Sequence, residues 1–382
     1  MIAGSERVRP LGTRHSFSLI GDTDGALLST EHLNRVLEVT NTTVTVEAGI
    51  QYGDLSGMLG EHGLALANLA SLPHISVGGA IATGTHGSGA RNPSLAAAVS
   101  AIDLVGADGS KRALRRGGVE FDGAVVALGA LGLAARVSLD VVPAFDLRQY
   151  VFEGLPWPTV EASLDDILGG GYSVSLFTTW TERGVQQVWV KTRDDLGDRP
   201  SYFGATPATG PRNPVPGARA DRATPQLGVP GPSYERLPHF RRGVTPSSGD
   251  ELQSEYVVSR ACGVEAVRAL RGLGPAVSAL LFISEIRAVA ADALWLSPFY
   301  EQDSVAFHFT WKPLVAEVSA ILPSIENALE PFAARPHWGK LFTMQPERLE
   351  AVYSELPAFR RLRARLDPNG TFENEFDRSA AG

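Results

Sequence analysis

Apolar and polar positions alternate in short stretches over the first part of the chain. Val44 and Val46 alternate with polar neighbours ahead of a glycine turn, and Ala101–Val105 and Ala134–Val142 show the same period of two. This period is typical of strands with one buried face, whereas the pattern over 52–60 predicts a helix. The region up to about residue 145 is therefore predicted to be an α+β unit.

Longer strands follow from residue 146 to residue 340. The alternation predicts them over Ser173–Trp180, Val185–Thr192, Leu280–Val289 and Ser304–Lys312. Helices lie between these strands, among them a predicted helix over Val315–Leu322. Strands with segregated helices are typical of an antiparallel sheet that carries helices on one face.

Two further segments complete the predicted elements. Residues 197–240 are rich in Pro and Gly and too long for a simple connection, which is typical of a lid, a binding loop or a disordered segment. The last helix is predicted from Glu347 to Leu366, because the D-P-N-G sequence of Asp367–Gly370 ends a helix in a turn.

Composition and charge exclude several classes of protein. The 382 residues are 44% hydrophobic and 20% charged, which is typical of a globular protein large enough for two domains. A net charge of -8 with scattered Lys and Arg argues against a nucleic-acid partner. Neither a signal-peptide pattern nor an apolar run of ~20 residues is found, so we expect a cytoplasmic protein that does not bind a membrane.

Metal and disulfide chemistry have no sequence support. Cys262 is the only cysteine, which excludes an internal disulfide and a thiolate metal cluster. No pair of histidines has the spacing of a metal-binding helix, so no metal is assigned. We expect the protein to be a monomer.

The densest chemical signal is the run Ser71–Gly89, S-L-P-H-I-S-V-G-G-A-I-A-T-G-T-H-G-S-G. Small residues let the backbone approach a ligand, and their N–H groups and hydroxyls can cradle phosphate oxygens. The run is neither G-x-G-x-x-G nor a Walker loop, so the fingerprints of NAD and ATP sites are missing. The alternative is a tight glycine-rich turn packed on its neighbours.

A second loop, Gly12–Ser18, follows the strand-like residues Arg7–Arg9 and contains His15. Loops at strand ends are where α/β-type proteins bind cofactors. Taken alone, a histidine in a polar loop is more often a solvated or capping residue than a ligand.

Alternation on two strands places polar groups together. Glu285 and Arg287 share one strand face, and His308, Thr310 and Lys312 share one face of another. Aimed into a common cleft, these groups could hydrogen-bond several hydroxyls of a polyol; the alternative is a surface ion pair on an exposed sheet. The opposite face is predicted to be core and consists of Phe307, Phe309 and Trp311.

Six stretches, in the same order along the chain, resemble those of the alditol (xylitol) oxidases, FAD proteins of the vanillyl-alcohol-oxidase class. They are R-H-S-F at Arg14–Phe17, the run Ser71–Gly89, L-G-A-L-G at Leu128–Gly132, S-E-I-R at Ser284–Arg287, H-F-T-W-K at His308–Lys312 and R-P-H-W-G-K at Arg335–Lys340. Any one of them would be a weak signal, but their joint occurrence by chance is negligible.

The resemblance implies an α+β, two-domain FAD-linked oxidase. Residues 1–145, completed by 341–382, would form a PCMH-type FAD-binding domain, and 146–340 an antiparallel-sheet substrate domain. Members of that family carry a further strand and helix before the segment that corresponds to Met1, so the FAD domain is expected to be N-terminally short.

The resemblance also implies site residues. FAD would be attached covalently to His15, and Gly129 would lie along its adenine half. The full set of cofactor-binding positions is Gly12, Thr13, Arg14, His15, Ser16, Ser76, Gly79, Thr83, Gly84, Thr85, His86, Gly129, Ala134 and His337. The positions that surround the substrate are Ser71, Glu285, Arg287, Thr310 and Lys340.

The implied activity is oxidation of the terminal hydroxyl of a sugar alcohol such as xylitol or sorbitol to the aldose, with O2 reduced to H2O2. Hydride would pass to the flavin, whose reduced form Lys340 or Arg287 could stabilise. A sugar-1,4-lactone oxidase or dehydrogenase is the nearest alternative, although the S-L-P-H-I-S run favours the alditol branch. An alternative of another class is a non-catalytic flavin- or carbohydrate-binding protein.

Overall fold

The computed structural model describes residues 2–197, 199–244 and 250–381. Short strands and helices make up residues 2–145. Their bounds are β1 (Val8–Leu11), β2 (Ala26–Ser29), β3 (Val36–Val39), β4 (Thr43–Glu47), α1 (Tyr52–Glu61), β5 (Leu64–Ala65), α2 (Val77–Ala82), β6 (Val99–Val105), β7 (Lys111–Arg115), α3 (Phe121–Val125), β8 (Leu133–Asp140) and β9 (Val142–Pro143).

The N-terminal layer is built on an antiparallel sheet with the strand order β3-β4-β8-β6-β7. In its centre, Val44 and Val46 of β4 face Leu139 and Val137 of β8, and all four side chains are fully buried. The predicted period of two is therefore confirmed here, because one face of the sheet supplies the core. Strands β1 and β2 pair in parallel beside it, and β5 pairs with β9.

From residue 146 the chain forms longer elements. Their bounds are β10 (Asp146–Leu155), α4 (Trp157–Gly169), β11 (Ser173–Thr178), β12 (Val185–Thr192), β13 (Thr206–Pro207), β14 (Gly231–Pro232), β15 (Leu252–Ser259), α5 (Gly263–Gly272), α6 (Gly274–Leu280), β16 (Leu281–Val289), β17 (Ser304–Trp311), α7 (Val315–Leu329), β18 (Arg335–Pro336), α8 (Pro346–Val352) and α9 (Leu356–Leu366). Among the described residues, no helix has both the length and the apolar composition needed to cross a membrane.

These strands form one antiparallel sheet with the order β13-β10-β12-β11-β16-β17-β15-β18, and β14 also pairs with β10. Helices α4 and α5 pack on β11, β15 and β16, and α7 packs on α5. The predicted fold class, an antiparallel sheet with helices on one side, is confirmed.

Strands β16 and β17 separate an apolar face from a polar one. Phe307, Phe309 and Trp311 are fully buried, as predicted for core residues. On the polar face, Glu285 pairs in register with His308. Glu285 and Arg287 are each only 4% exposed, so the alternative of a surface ion pair is wrong.

The predicted end of β17 and the helix after it need correction. Lys312 lies just beyond β17, and its ammonium donates to Ala279 O at 2.7 Å instead of joining the polar face. Helix α7 continues past the predicted end at Leu322, although Pro323 removes one helical N–H. Its length is maintained by buried residues spaced three or four apart, which are Val318, Leu322, Ile325 and Leu329.

The predicted C-terminal helix is two helices. Tyr353 has φ -108° and ψ 83°, which ends α8, and its hydroxyl donates to Pro336 O at 2.6 Å. Pro357 lies in the first turn of α9, where a missing N–H has no cost. A tertiary hydrogen bond and a proline thus divide the predicted helix.

The two ends of the described chain meet through a buried ion pair. Arg9 on β1 donates to Asp377 at 2.6 Å, with side-chain exposures of 1% and 0%. The same guanidinium donates to Leu128 O at 2.7 Å, and Val8 N donates to Thr371 O at 2.8 Å. The last residues therefore pack on the N-terminal layer.

The Pro/Gly-rich segment 197–240, of which Asp198 lies outside the described residues, covers the polar face of the sheet. Gln149 of β10 donates to Thr224 O at 3.2 Å, and Gln187 of β12 donates to Asn213 O at 2.9 Å. The segment ends with His239, whose N–H donates to Ser71 O at 3.1 Å. It therefore reaches the glycine-rich run of the N-terminal layer.

Candidate active site

A cavity of about 950 Å³ lies between the N-terminal layer and the polar face of the large sheet. On one side it is lined by the loop 12–16 and by parts of the run Ser71–Gly89. On the other side it is lined by side chains of β15, β16 and β17. A volume in this range is typical of a site for a cofactor or a drug-sized ligand.

Most of the residues implied by the resemblance line this cavity. On the cofactor side they are Gly12, Thr13, Arg14, His15, Ser16, Gly79, Thr83, Thr85, His86, Gly129, Ala134 and His337. The five substrate positions, Ser71, Glu285, Arg287, Thr310 and Lys340, all line it as well.

Ser76 and Gly84 are the exceptions, since neither lines the cavity. Ser76 lies behind the loop at the start of α2, and its buried hydroxyl has no hydrogen-bond partner among the residues that the structure describes. Gly84 follows α2 with φ +67°, a left-handed conformation that favours glycine and turns the chain toward Thr85. Both residues lie next to the cavity-lining residues at the two ends of α2 and help to fix the backbone there.

The loop at Gly12 packs tightly on the start of α2. A Cβ at Gly12 would lie 2.6 Å from Ser76 Oγ, so only glycine fits without movement. Thr13 Oγ1 accepts a hydrogen bond from Ser76 N at 3.1 Å, which fixes the loop to the helix. Arg14, with φ 61°, then turns the chain so that His15 faces the cavity.

His15 has a neutral ring. It lies edge-on to the ring of His74, with 4.6 Å between the centroids. Burial against its neighbours, and to a lesser extent the charge of His74, lower the pKa of His15 to about 4. At pH 7 one ring nitrogen therefore keeps a free lone pair, as a nucleophile needs.

Glu255 on β15 is the centre of the polar face, and the sequence pattern did not single it out. Its carboxylate accepts from Arg287 Nη2 at 2.6 Å and from Lys340, and it lies 3.1 Å from His86 Nε2. Burial opposes its ionisation, but the charges of Lys340 and Arg287 outweigh this and hold the pKa of Glu255 well below its ordinary value. It is an ionised carboxylate between two cations.

His308 connects this carboxylate group to the cavity. Lys340 Nζ lies 2.8 Å from His308 Nδ1, and because an ammonium only donates, Nδ1 accepts. His308 Nε2 therefore carries the hydrogen and donates to Thr310 Oγ1 at 3.0 Å. Burial, followed by the charge of Lys340, lowers the pKa of His308 to about 4, which agrees with a neutral ring.

Glu285 is the second ionised carboxylate. Burial opposes its ionisation, but Arg287 and then His239 lower its pKa below the ordinary value. His239 Nε2 lies 2.8 Å from Glu285 Oε1, and Arg287 Nε lies 3.6 Å from Oε2. Arg287 Nε is buried and has no hydrogen-bond partner among the described residues, although its guanidinium lines the cavity.

Sequence reasoning missed Glu255 and His239. Alternation along β15 places Gln253 and Glu255 on one face, which was an available signal, but nothing local indicates that this face meets Arg287 and Lys340. His239 lies near the end of the Pro/Gly-rich segment 197–240, which has no strand or helix periodicity that could have indicated it.

Comparison with known proteins shows which family the chain is similar to. The FAD binding domain family matches residues 3–114, and the D-arabinono-1,4-lactone oxidase family matches residues 250–380. The chain is 47% identical over 369 residues to an alditol oxidase from Streptomyces sp., with 95% of this chain and 88% of that protein covered.

Solved structures share the whole fold. Cholesterol oxidase from B. sterolicum superposes with a TM-score of 0.78 at 16% identity, over 97% of this chain and 89% of that one. Glucooligosaccharide oxidase from Acremonium strictum, described with a 6-S-cysteinyl, 8α-N1-histidyl FAD, superposes with a TM-score of 0.72 at 14% identity, over 97% and 86% of the two chains.

Fold and site together define an FAD-dependent oxidoreductase that acts on CH–OH groups. With 47% identity to the Streptomyces protein over nearly its whole length, the chain belongs to the alditol oxidase family.

The residues present fit FAD. The glycine at position 12 lets the cavity-lining loop pack closely on the start of α2, because a Cβ there would lie 2.6 Å from Ser76 Oγ. Two buried polar atoms next to this space, Ser76 Oγ behind the loop and Arg287 Nε in the wall, have no hydrogen-bond partner in the described part of the chain, which is uncommon away from functional sites. His15 presents a neutral ring to the same space.

Proposed function

We propose that this protein oxidises the terminal hydroxyl of a sugar alcohol to the aldose and reduces O2 to H2O2. The observation that carries the proposal is one continuous cavity, which is lined both by the glycine-rich loops of the N-terminal layer and by the polar face of the sheet. The alcohol loses one C–H hydride and one O–H proton, and O2 gains two electrons and two protons, so the reaction balances.

FAD, when bound, accepts the hydride and passes the electrons to O2. Residues 1–145 with 341–382 are assigned to cofactor binding, and 146–340 to substrate binding. The groups that hold the cofactor are the loop Gly12–Ser16, Gly79, Thr83, Thr85 and His86, with Gly129, Ala134 and His337 further along the lining, and Ser76 and Gly84 support them from behind. His15 is proposed as the covalent attachment point, which its neutral ring supports.

The polyol is proposed to bind against the ionised face. Glu285 Oε2 accepts a hydrogen from the substrate hydroxyl, while Arg287, Lys340, Ser71 and Thr310 contact further hydroxyl oxygens. Because its pKa is lowered, Glu285 is ionised at neutral pH, so it is a weak base whose oxygens only accept hydrogen bonds. It therefore orients the O–H bond, and the hydroxyl proton passes to solvent as the carbonyl forms; a proton is taken up again from solvent when O2 is reduced.

The ion pairs of the polar face are already formed in the protein without substrate. Glu255 holds Arg287 and Lys340 in place, so their charges are fixed before substrate arrives. Fixed charges in a buried wall act more strongly than mobile ones in solvent. Negative charge that develops on the reacting oxygen would therefore be stabilised by donors that are already in place.

The match of residues 250–380 to D-arabinono-1,4-lactone oxidase favours a second candidate, oxidation of a sugar-1,4-lactone. The two candidates share the cofactor and differ in the substrate. A cytoplasmic location and a monomeric state stay predictions from the sequence.

One spectroscopic experiment tests the proposal. The flavin-loaded protein is mixed without oxygen with xylitol, with sorbitol or with L-gulono-1,4-lactone, and the visible flavin absorbance is followed. Bleaching by the alditols, recovery in air and formation of peroxide are expected. Bleaching by the lactone alone would replace the proposal with the second candidate, and a protein that no compound bleaches would be a binding protein.

A further inference from the structure

Lys191 is a buried lysine that the proposed reaction does not use. It lies on β12, opposite Ser173 of β11 and Gln149 of β10, and its side chain is 1% exposed. A buried ammonium is costly unless each of its donors finds an acceptor. The partners of this lysine come from the end of the irregular segment.

All three donors of Lys191 have partners. Nζ donates to Leu237 O, lies 3.4 Å from Pro238 O and lies 3.0 Å from His239 Nδ1. Burial lowers the pKa of Lys191 to about 7, while the charge of Glu285 acts in the opposite direction, so the ammonium form is present at neutral pH and predominates below it. An ammonium has no lone pair, so His239 Nδ1 is the acceptor in the third contact. The hydrogen of the neutral ring is then on Nε2.

The hydrogen on His239 Nε2 points toward Glu285 on the polar face of the sheet. His239 Nε2 lies 2.8 Å from Glu285 Oε1 and donates to it. With the hydrogen on Nδ1 instead, a lone pair on Nε2 would face the carboxylate and repel it. The ammonium of Lys191 therefore selects the only neutral form of His239 that binds Glu285.

The ring of His239 is caged by aromatic side chains. Phe177 and Trp189 meet it edge-on, with centroid distances of 5.4 Å and 5.3 Å. Burial, followed by the charge of Lys191, lowers the pKa of His239 to about 4, so the ring is neutral at pH 7. Packing prevents the ring from swinging away from the two polar partners.

We propose that Lys191 and His239 are positioning residues for Glu285, with Lys191 fixing the tautomer of His239 and His239 fixing the carboxylate. This inference rests on the proposed function, because it assigns Oε1 of Glu285 to the histidine and leaves Oε2 for the substrate hydroxyl. The Pro/Gly-rich segment 197–240 thus contributes His239 to this hydrogen-bond chain, and β12 contributes Lys191.

The test compares three variants of the flavin-loaded protein. Lys191→Met removes the ammonium and keeps the apolar stem. His239→Gln places an amide N–H about where Nε2 lies, whereas His239→Asn is too short to reach Glu285. Lys312→Met is the matched control, because Lys312 donates to Ala279 O outside the cavity.

The first readout needs no activity. The ¹⁵N signals of the His239 ring, assigned by their loss in His239→Gln, should show hydrogen on Nε2 in the wild type and a mixture of tautomers in Lys191→Met. Hydrogen on Nδ1 in the wild type would overturn the proposal whatever the activity of the variants.

The second readout is steady-state oxidation of xylitol. In Lys191→Met and His239→Asn, kcat/KM should fall about ten- to hundredfold, the range for losing one hydrogen bond to a charged group, with the flavin spectrum retained. His239→Gln should recover most of the loss, and Lys312→Met should match the wild type. Wild-type kcat/KM in both Lys191→Met and His239→Asn would overturn the proposal. A wild type that oxidises no alditol would contradict the proposed function, while the tautomer would still be measurable.

Discussion

Arg287 on β16 reaches across β17 to Glu255 on β15, with 2.6 Å between Nη2 and the carboxylate oxygen. The same guanidinium lies 3.6 Å from Glu285 through its Nε. One planar side chain therefore connects the two ionised carboxylates of the cavity, and its orientation decides where each can accept a hydrogen.

Arg287→Lys should lower turnover with xylitol by about tenfold or more, because an ammonium cannot present the fixed fork that contacts both carboxylates. The visible flavin spectrum should be unchanged, since the cofactor residues are untouched. Steady-state peroxide production measures the effect. Near-normal turnover would assign the Arg287 contacts to structure only.

His15→Ala should abolish covalent flavin. After acid precipitation of flavin-loaded protein, the wild-type pellet is expected to stay coloured, because a bond to the ring survives denaturation. The variant should release its flavin to the supernatant. His74→Ala is the matched control, since His74 contacts His15 only through its ring edge; a colourless wild-type pellet would contradict the covalent assignment.

Gly12→Ala should reduce the amount of flavin bound per protein. The added methyl would lie 2.6 Å from Ser76 Oγ, and overpacking of this kind costs about 1–3 kcal/mol. The double variant Gly12→Ala with Ser76→Ala removes the colliding oxygen and should recover flavin content. Gly272→Ala, where an added Cβ meets nothing within 4 Å, is the control. Equal loading in all variants would show that the close approach is unimportant.

Lys340→Met separates chemistry from binding. If the ammonium stabilises charge that develops only in the transition state, the rate of flavin bleaching at saturating xylitol should fall by about a hundredfold, the scale of one lost preorganised donor. The apparent affinity should change less. Rapid mixing without oxygen isolates this step, and a normal rate with weak binding would mean that Lys340 only holds a hydroxyl.

Glu255→Gln should destabilise the protein at neutral pH and flatten its acid dependence. The pKa of Glu255 is held below its unfolded value, so its contribution is fully present above about pH 4.3 and is lost as the pH falls through the folded-state pKa. At pH 7 the variant should lose about 3–5 kcal/mol, because two buried cations lose their partner. Urea unfolding from neutral pH down to below about pH 4.3 measures the free energy of unfolding and its dependence on pH. Glu61→Gln, at an exposed position, is the control. If the free energies of the Glu255 variant and the wild type changed in parallel with pH, Glu255 would not be the ionised group.

The sequence alone determined several of the strands, among them β4, β16 and β17, and which face of each is buried. Val44, Val46 and the alternation of Phe307, Phe309 and Trp311 with His308 and Thr310 all lie where the period of two predicts. Such patterns are local, because a strand's own geometry sends successive side chains to opposite faces. Resemblance to a known family added a prediction of the site positions, most of which line the cavity.

Only the tertiary structure decided how those faces meet. Glu255 is separated in sequence from Arg287 and Lys340 by 32 and 85 residues, and His86 from Glu255 by 169. Their contacts follow from strand order, which alternation does not encode. Where a tertiary contact competed with local pattern, as Tyr353 shows by breaking the predicted C-terminal helix, the tertiary contact prevailed. The hydrogen-bond chain from Lys191 to Glu285 exists for the same reason, since packing between distant segments holds His239 between two charges that no local pattern relates.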